Sequence, residues 1–157
     1  ALKLWQVSSN LLVFTKTFKE RALATRHQAR ESIIGLLYAE DIGNAGIDKF
    51  VDELFEEKKI RNQQKEFALG LYHGVKEHMK VIDEAINLHL KEWNLSEIGM
   101  LERAILRLGA YEILYSELDN AVIINEAIEL AKKLCNETSP KFINGVLDAI
   151  CKDQEVK

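Results

Sequence analysis

The sequence predicts an all-α protein built as two small packed helical bundles. Three observations predict it. Apolar residues recur at steps of three and four over long stretches, and no strand-like alternation persists. One proline and eight glycines in 157 residues leave few breaks. Leu, Ile, Ala, Glu and Lys dominate, which favours helices.

In chain order, residues 1–23 are mixed and weakly periodic, with a helix over about Leu11–Arg21 as one reading. Six helices follow. Thr25 with Gln28 resembles a capping box opening the first, which runs to about Ala39 with Ala29, Ile33 and Leu36/Leu37 inward. Gly43, Asn44 and Gly46 predict a turn. Asp48 is expected to cap a short second helix with Phe50, Val51, Leu54 and Phe55 inside. Asn62 starts a long third helix to about Glu92, striped by Ala68, Leu71, Val75, Met79, Ile82, Ile86 and Leu90. Gly70 and Gly74, one turn apart, mark a close helix approach. Ser96 is the expected cap of the fourth helix, with Ile98, Leu101, Ile105 and Leu108 on one face. Asn120 precedes the fifth, which buries Ile124, Ala127, Ile128, Ala131 and Leu134. Ser139-Pro140 reads as N-cap and first position of the sixth, followed by Phe142, Ile143, Val146, Leu147 and Ile150. Short connections imply antiparallel neighbours, divided into two clusters near Asn94.

Several chemistries lack their motifs. There is no phosphate-cradling glycine loop and no Gly-x-Ser-x-Gly elbow. His27, His73, His78 and His89 lack the spacing of a di-metal bundle, and His78 and His89 read as satisfied boundary residues. Glu56-Glu57 and Asp52-Glu53 read as a solvated face. Cys135 and Cys151 have no metal or disulfide spacing and read as reduced thiols of a cytoplasmic protein. No apolar run approaches the roughly 18–20 residues that span a bilayer. The expectation is a protein without cofactor, metal or catalytic residues.

The net charge of −4 argues against a nucleic-acid binder, but its distribution does not. Residues 1–30 hold six Lys/Arg and one acid, a local +5 that leaves −9 for the rest. A basic arm on an acidic body suggests two different partners, one anionic. Three constellations fit. Thr25 to Arg30 combines arginine forks with a helix N-terminus, although Gln28 is also the cap candidate and Arg30 an ion-pair candidate. Thr138 to Phe142 joins Lys141 to an aromatic ring that would stack on an unpaired base or sit in the core. Glu97, Glu102, Arg103, Arg107 and Glu112 on the fourth helix would face a basic protein or pair along an exposed helix. Tyr38, Tyr72, Tyr111 and Tyr115 are candidate interface anchors.

Four motifs now carry a resemblance. Ala24 to Glu31 with Leu36-Leu37-Tyr38, Ile98 to Glu112, Val122 to Lys133 and Lys141 to Asp148 are similar, in order and spacing, to the NusB family. The resemblance implies two helical bundles spanning 24–152, with a polar tail at 153–157 and an N-terminal extension, not necessarily native, at 1–23. It implies a transcription antitermination factor that binds boxA-type single-stranded RNA with the ribosomal protein NusE. That factor would support ribosomal RNA transcription and join RNA polymerase indirectly. Carried over by position, Arg26, His27, Gln28, Arg30, Lys141 and Phe142 are expected at the RNA, and Tyr38 and Glu102 at the protein partner. A homodimer through the same faces is compatible with it. The arm has fewer arginines than many relatives, which puts affinity without the partner in question. The alternatives are a non-catalytic protein–protein adaptor, or an RNA-binding module related to that of ribosomal-RNA methyltransferases.

Overall fold

The computed structural model describes residues 25–43 and 46–156, and the residue 1–23 extension lies outside them. Among the described residues there are seven α-helices and no strand. They are α1 (Arg26–Asp41), α2 (Val51–Glu57), α3 (Gln63–Glu77), α4 (Met79–Asn87), α5 (Met100–Tyr115), α6 (Asn120–Leu134) and α7 (Ser139–Glu155). Short 3-10 turns, Ile47–Phe50 and Leu95–Glu97, lead into α2 and α5. None of these helices is long and apolar enough to cross a membrane.

The expected capping box is present. Gln28 N–H donates to Thr25 Oγ1 at 3.2 Å, and Thr25 N–H donates to Gln28 Oε1 at 2.8 Å. Ala29, Ile33, Leu36 and Leu37 are buried as their spacing predicts. The second helix departs from expectation. Asp48 does not cap it: its carboxylate accepts the Tyr72 hydroxyl at 2.7 Å and the Lys76 ammonium at 3.2 Å. Phe50 is exposed, because the 3-10 turn places it outside the face that buries Val51 and Phe55. The helix stops with Lys59 at φ 57° and Ile60 N–H reaching back to Phe55 O at 2.8 Å, while the Ile60 side chain enters the core.

The long third helix is two helices. It breaks at His78, where φ is −108° and ψ is 16°. The cause is tertiary. Tyr111 from α5 occupies the space where a Cβ on Gly74 would sit, and His78 Nδ1 lies 2.9 Å from Gly74 O. The apolar stripe carries on across the break, so Ile82, Ile86 and Leu90 are buried with Leu71 and Val75. Gly70, by contrast, faces open space and marks no close approach.

Start signals shift by a few residues. Asn94, not Ser96, makes the capping box with Glu97, and it caps the 3-10 turn before α5. Asp119 Oδ1 accepts Ala121 N–H at 2.9 Å to cap α6. Ser139 lies inside α7, and Asn136 Oδ1 accepts the Thr138 and Ser139 N–H groups at 3.1 and 3.2 Å.

Helix α5 packs on α1, α3 and α4 on one side and on α6 and α7 on the other, and a single hydrophobic cluster runs through both groups. Gly109 lets α5 meet α7 closely: a Cβ there would lie 2.8 Å from Leu147 Cδ1. Polar staples fix α5 in place. Arg103 donates to Asp41 at 2.9 Å and to the carbonyls of Leu95, Ser96 and Ile98. Arg107 grips Asp83 with two bonds of 2.9 and 3.0 Å. The charged face, expected to meet a basic protein or to pair along an exposed helix, is thus largely turned inward, each guanidinium facing a carboxylate of another helix.

Candidate nucleic-acid interface

The N-terminal end of α1 gathers four of the expected RNA residues and sorts them into different roles. Arg26 is exposed at the first helical position, and its Cζ lies 4.8 Å from the centroid of the Phe67 ring on α3. Gln28 is exposed too, with its Oε1 engaged by the capping box. His27 is half-buried, with Nδ1 2.7 Å from Glu126 Oε2 on α6. A proton on that nitrogen would be donated to the carboxylate, so this edge of the ring is turned toward protein.

Arg30 corrects the expectation. It is only 4% exposed. Nε donates to both Glu112 oxygens at 3.1 and 3.0 Å, Nη2 donates to Oε1 at 2.8 Å, and Nη1 lies 3.6 Å from Glu126. Glu112 is 2% exposed. A fork so placed cannot also meet a phosphate, so Arg30 joins α1, α5 and α6 instead. The spacing held the signal: Arg30 precedes buried Ile34 by four residues and buried Leu37 by seven, which puts it on the inward face.

The start of α7 forms a second region. Lys141 is exposed in its first turn. Phe142 is half-buried and packs against the core while lining a cleft of about 490 Å³ with Trp93, Ile98, Glu102 and Thr138. Glu102 folds back over Gly99, and it accepts the Ser139 hydroxyl at 2.8 Å. The structure therefore places one expected partner residue and one expected RNA residue in the same cleft. Tyr38 stands apart, half-buried near the C-terminal end of α1. Tyr72 is 1% exposed and hydrogen-bonded to Glu40 and Asp48, so it anchors the core and not an interface.

The two regions adjoin. Gln28 lines a cleft of about 320 Å³ with Glu31, Lys58 and Lys133, while Asn136 lines the cleft that holds Phe142. Lys133 and Asn136 are three residues apart, a span of at most about 11 Å. Sequence reasoning did not single out Phe67, Trp93, Glu126 or Asn136. Trp93, at 61% exposure, was the most visible of them as a large aromatic outside any apolar stripe. Among the described residues no group of three or more His, Cys, Asp or Glu is arranged to hold a metal ion. Cys135 has its thiol pushed up to about 12, first by burial and then by the Glu102 carboxylate.

Known proteins resemble this chain over most of its length. The family model described as the NusB family matches residues 27–152. The chain is 62% identical over 131 residues to the transcription antitermination protein NusB of Nitratiruptor sp., covering 83% of this chain and 94% of the relative. Among solved structures, T. maritima NusB superposes with a TM-score of 0.76 at 32% identity, covering 83% of this chain and 92% of that one. A complex of antitermination factors NusB and NusE with double-stranded RNA matches with a TM-score of 0.74 at 32% identity, covering 82% and 96%.

Proposed function

The chain belongs to the NusB family, and from that premise we propose that it is a transcription antitermination factor that binds RNA together with a NusE-type ribosomal protein. It works by binding, not by catalysis. The RNA is a boxA-type single strand, the setting is ribosomal RNA transcription, and contact with RNA polymerase is indirect. The observation that supports RNA and NusE binding is the similar solved complex of antitermination factors NusB and NusE with double-stranded RNA.

The surface supports it. Arg26 supplies a planar fork at a helix N-terminus, where backbone N–H groups also favour an anion. Lys141 adds a second cation in the first turn of α7, and Phe142 borders a cleft able to admit a base. Gln28 lines a second cleft with Lys58 and Lys133. The partner reading rests on Glu102, which lines the cleft with Phe142, and on Tyr38 on α1. A homodimer through these faces would compete with both ligands.

The test is fluorescence anisotropy of a labelled boxA-type RNA, with a scrambled single strand and the boxA duplex as controls, with and without the NusE-type protein. Preference for the boxA single strand, tightened by the partner, is the expected result. Equal binding to all three RNAs, unchanged by the partner, would overturn the reading. Glu102→Lys should weaken capture by the partner while the far-ultraviolet circular dichroism is retained; undiminished capture removes Glu102 from the interface.

A further inference from the structure

We propose that Phe67 is a positioning residue for RNA binding, its ring being the platform that holds the Arg26 guanidinium at the surface. The inference rests on the RNA reading above and adds to it a residue on α3. Phe67 is half-buried on α3 and packs against the core, which restrains its ring. Two guanidinium groups approach that ring: Arg26 Cζ at 4.8 Å and Arg30 Cζ at 5.2 Å from its centroid. Arg30 is immobilised by Glu112 and its charge is compensated there and by Glu126. Arg26 is exposed at the helix start and remains the cation on offer to a ligand.

The physical effect is preorganisation. An unrestrained arginine on a surface samples many rotamers, and ordering it on binding lowers affinity. Attraction between a guanidinium and an aromatic face restricts that sampling before the ligand arrives. The planar fork is then presented in one orientation to a phosphate or base of the RNA strand. Phe67 adds no charge of its own, so its contribution lies in affinity and not in counterion release.

The experiment is a double-mutant cycle read by anisotropy with the labelled boxA-type single-stranded RNA over a series of salt concentrations. Arg26→Ala should weaken binding and reduce the salt slope by about 0.7. Phe67→Leu should weaken binding by about three-fold with the slope unchanged, and Phe67→Tyr should restore it. In the Arg26→Ala background, Phe67→Leu should have no further effect. A merely structural Phe67 would weaken both backgrounds alike, and that result overturns the inference. Should Phe67→Leu not fold, Phe67→Met keeps the bulk without the ring and is scored the same way. If Arg26→Ala weakens binding while neither ring-less variant does, the platform is refuted and the RNA reading stands. If Arg26→Ala itself changes nothing, Arg26 is not at the RNA and the platform is refuted, while the RNA reading is judged by the preference for the boxA-type strand over its controls.

Discussion

Replacing Arg30 with alanine should lower folding stability by about 3–5 kcal/mol. The magnitude follows from what is left behind. Glu112, 2% exposed beside Arg30, loses three hydrogen bonds from one guanidinium, and among the described residues no other cation lies within salt-bridge distance. Hydrogen bonds to a charged group contribute roughly 1.5–3 kcal/mol each, and they do not add fully. For a chain of this size the melting temperature should fall by roughly 10 °C. Urea unfolding followed by circular dichroism measures the change as a shifted midpoint at constant slope. The partner experiment replaces both ends. Arg30→Met with Glu112→Leu should recover most of the loss, because two apolar side chains need no solvation. The double variant should also keep the wild-type salt slope for RNA, since Arg30 meets no phosphate. A loss under about 1 kcal/mol for Arg30→Ala would refute the reasoning, as it would mean the pair is solvated and the guanidinium is within a ligand's reach.

Other perturbations reach other parts of the fold. The Tyr72 hydroxyl and then the Lys76 ammonium hold the Asp48 carboxyl below its ordinary range. Its stabilising contribution is therefore complete above the ordinary value of 3.8 and is lost as pH falls through the lowered one. Wild type and Asp48→Asn should accordingly differ in melting temperature at neutral pH and converge toward about pH 2; a constant difference would sink the assignment. Gly74→Ala should destabilise by about 1–3 kcal/mol because the new methyl collides with the Tyr111 ring, and adding Tyr111→Leu should relieve it. If Tyr111→Leu gives no relief, the close approach at Gly74 is not what the methyl disturbs. With its thiol pushed up to about 12 by burial and then by Glu102, Cys135 should be alkylated much more slowly at pH 8 than an ordinary thiol. Equal labelling of native and urea-unfolded protein would contradict that.

Most helices were legible because each carries its own stripe: Leu71, Val75, Ile82 and Ile86 announce burial without reference to anything else. The break at His78 was not legible, since it depends on Tyr111 packing from more than thirty residues away. Caps were legible in kind but not in register. Ser139-Pro140 signals a helix start, yet Asn136 outcompetes Ser139 for the orphan N–H groups and Ser139 turns to Glu102 instead. The candidate surface was legible only where local sequence decides exposure. Arg26 and Lys141 are exposed as expected, while Arg30 belongs to a contact made with Glu112, eighty-two positions along the chain. A basic residue on an inward face gives its own warning, because the apolar spacing around Arg30 places it against a neighbouring helix. Phe67 gave none, being one more aromatic in an apolar stretch until α1 is laid beside it.

Helix α5 is shared by both bundles, so neither bundle owns a complete core. A fragment ending before Met100 would expose the apolar faces of α1, α3 and α4, and one beginning there would leave α5 bare on one side. The molecule should therefore open as one cooperative unit. In native-state hydrogen exchange, the amides of Ala104 to Ile113 should be the last to exchange, at a free energy matching that of global unfolding.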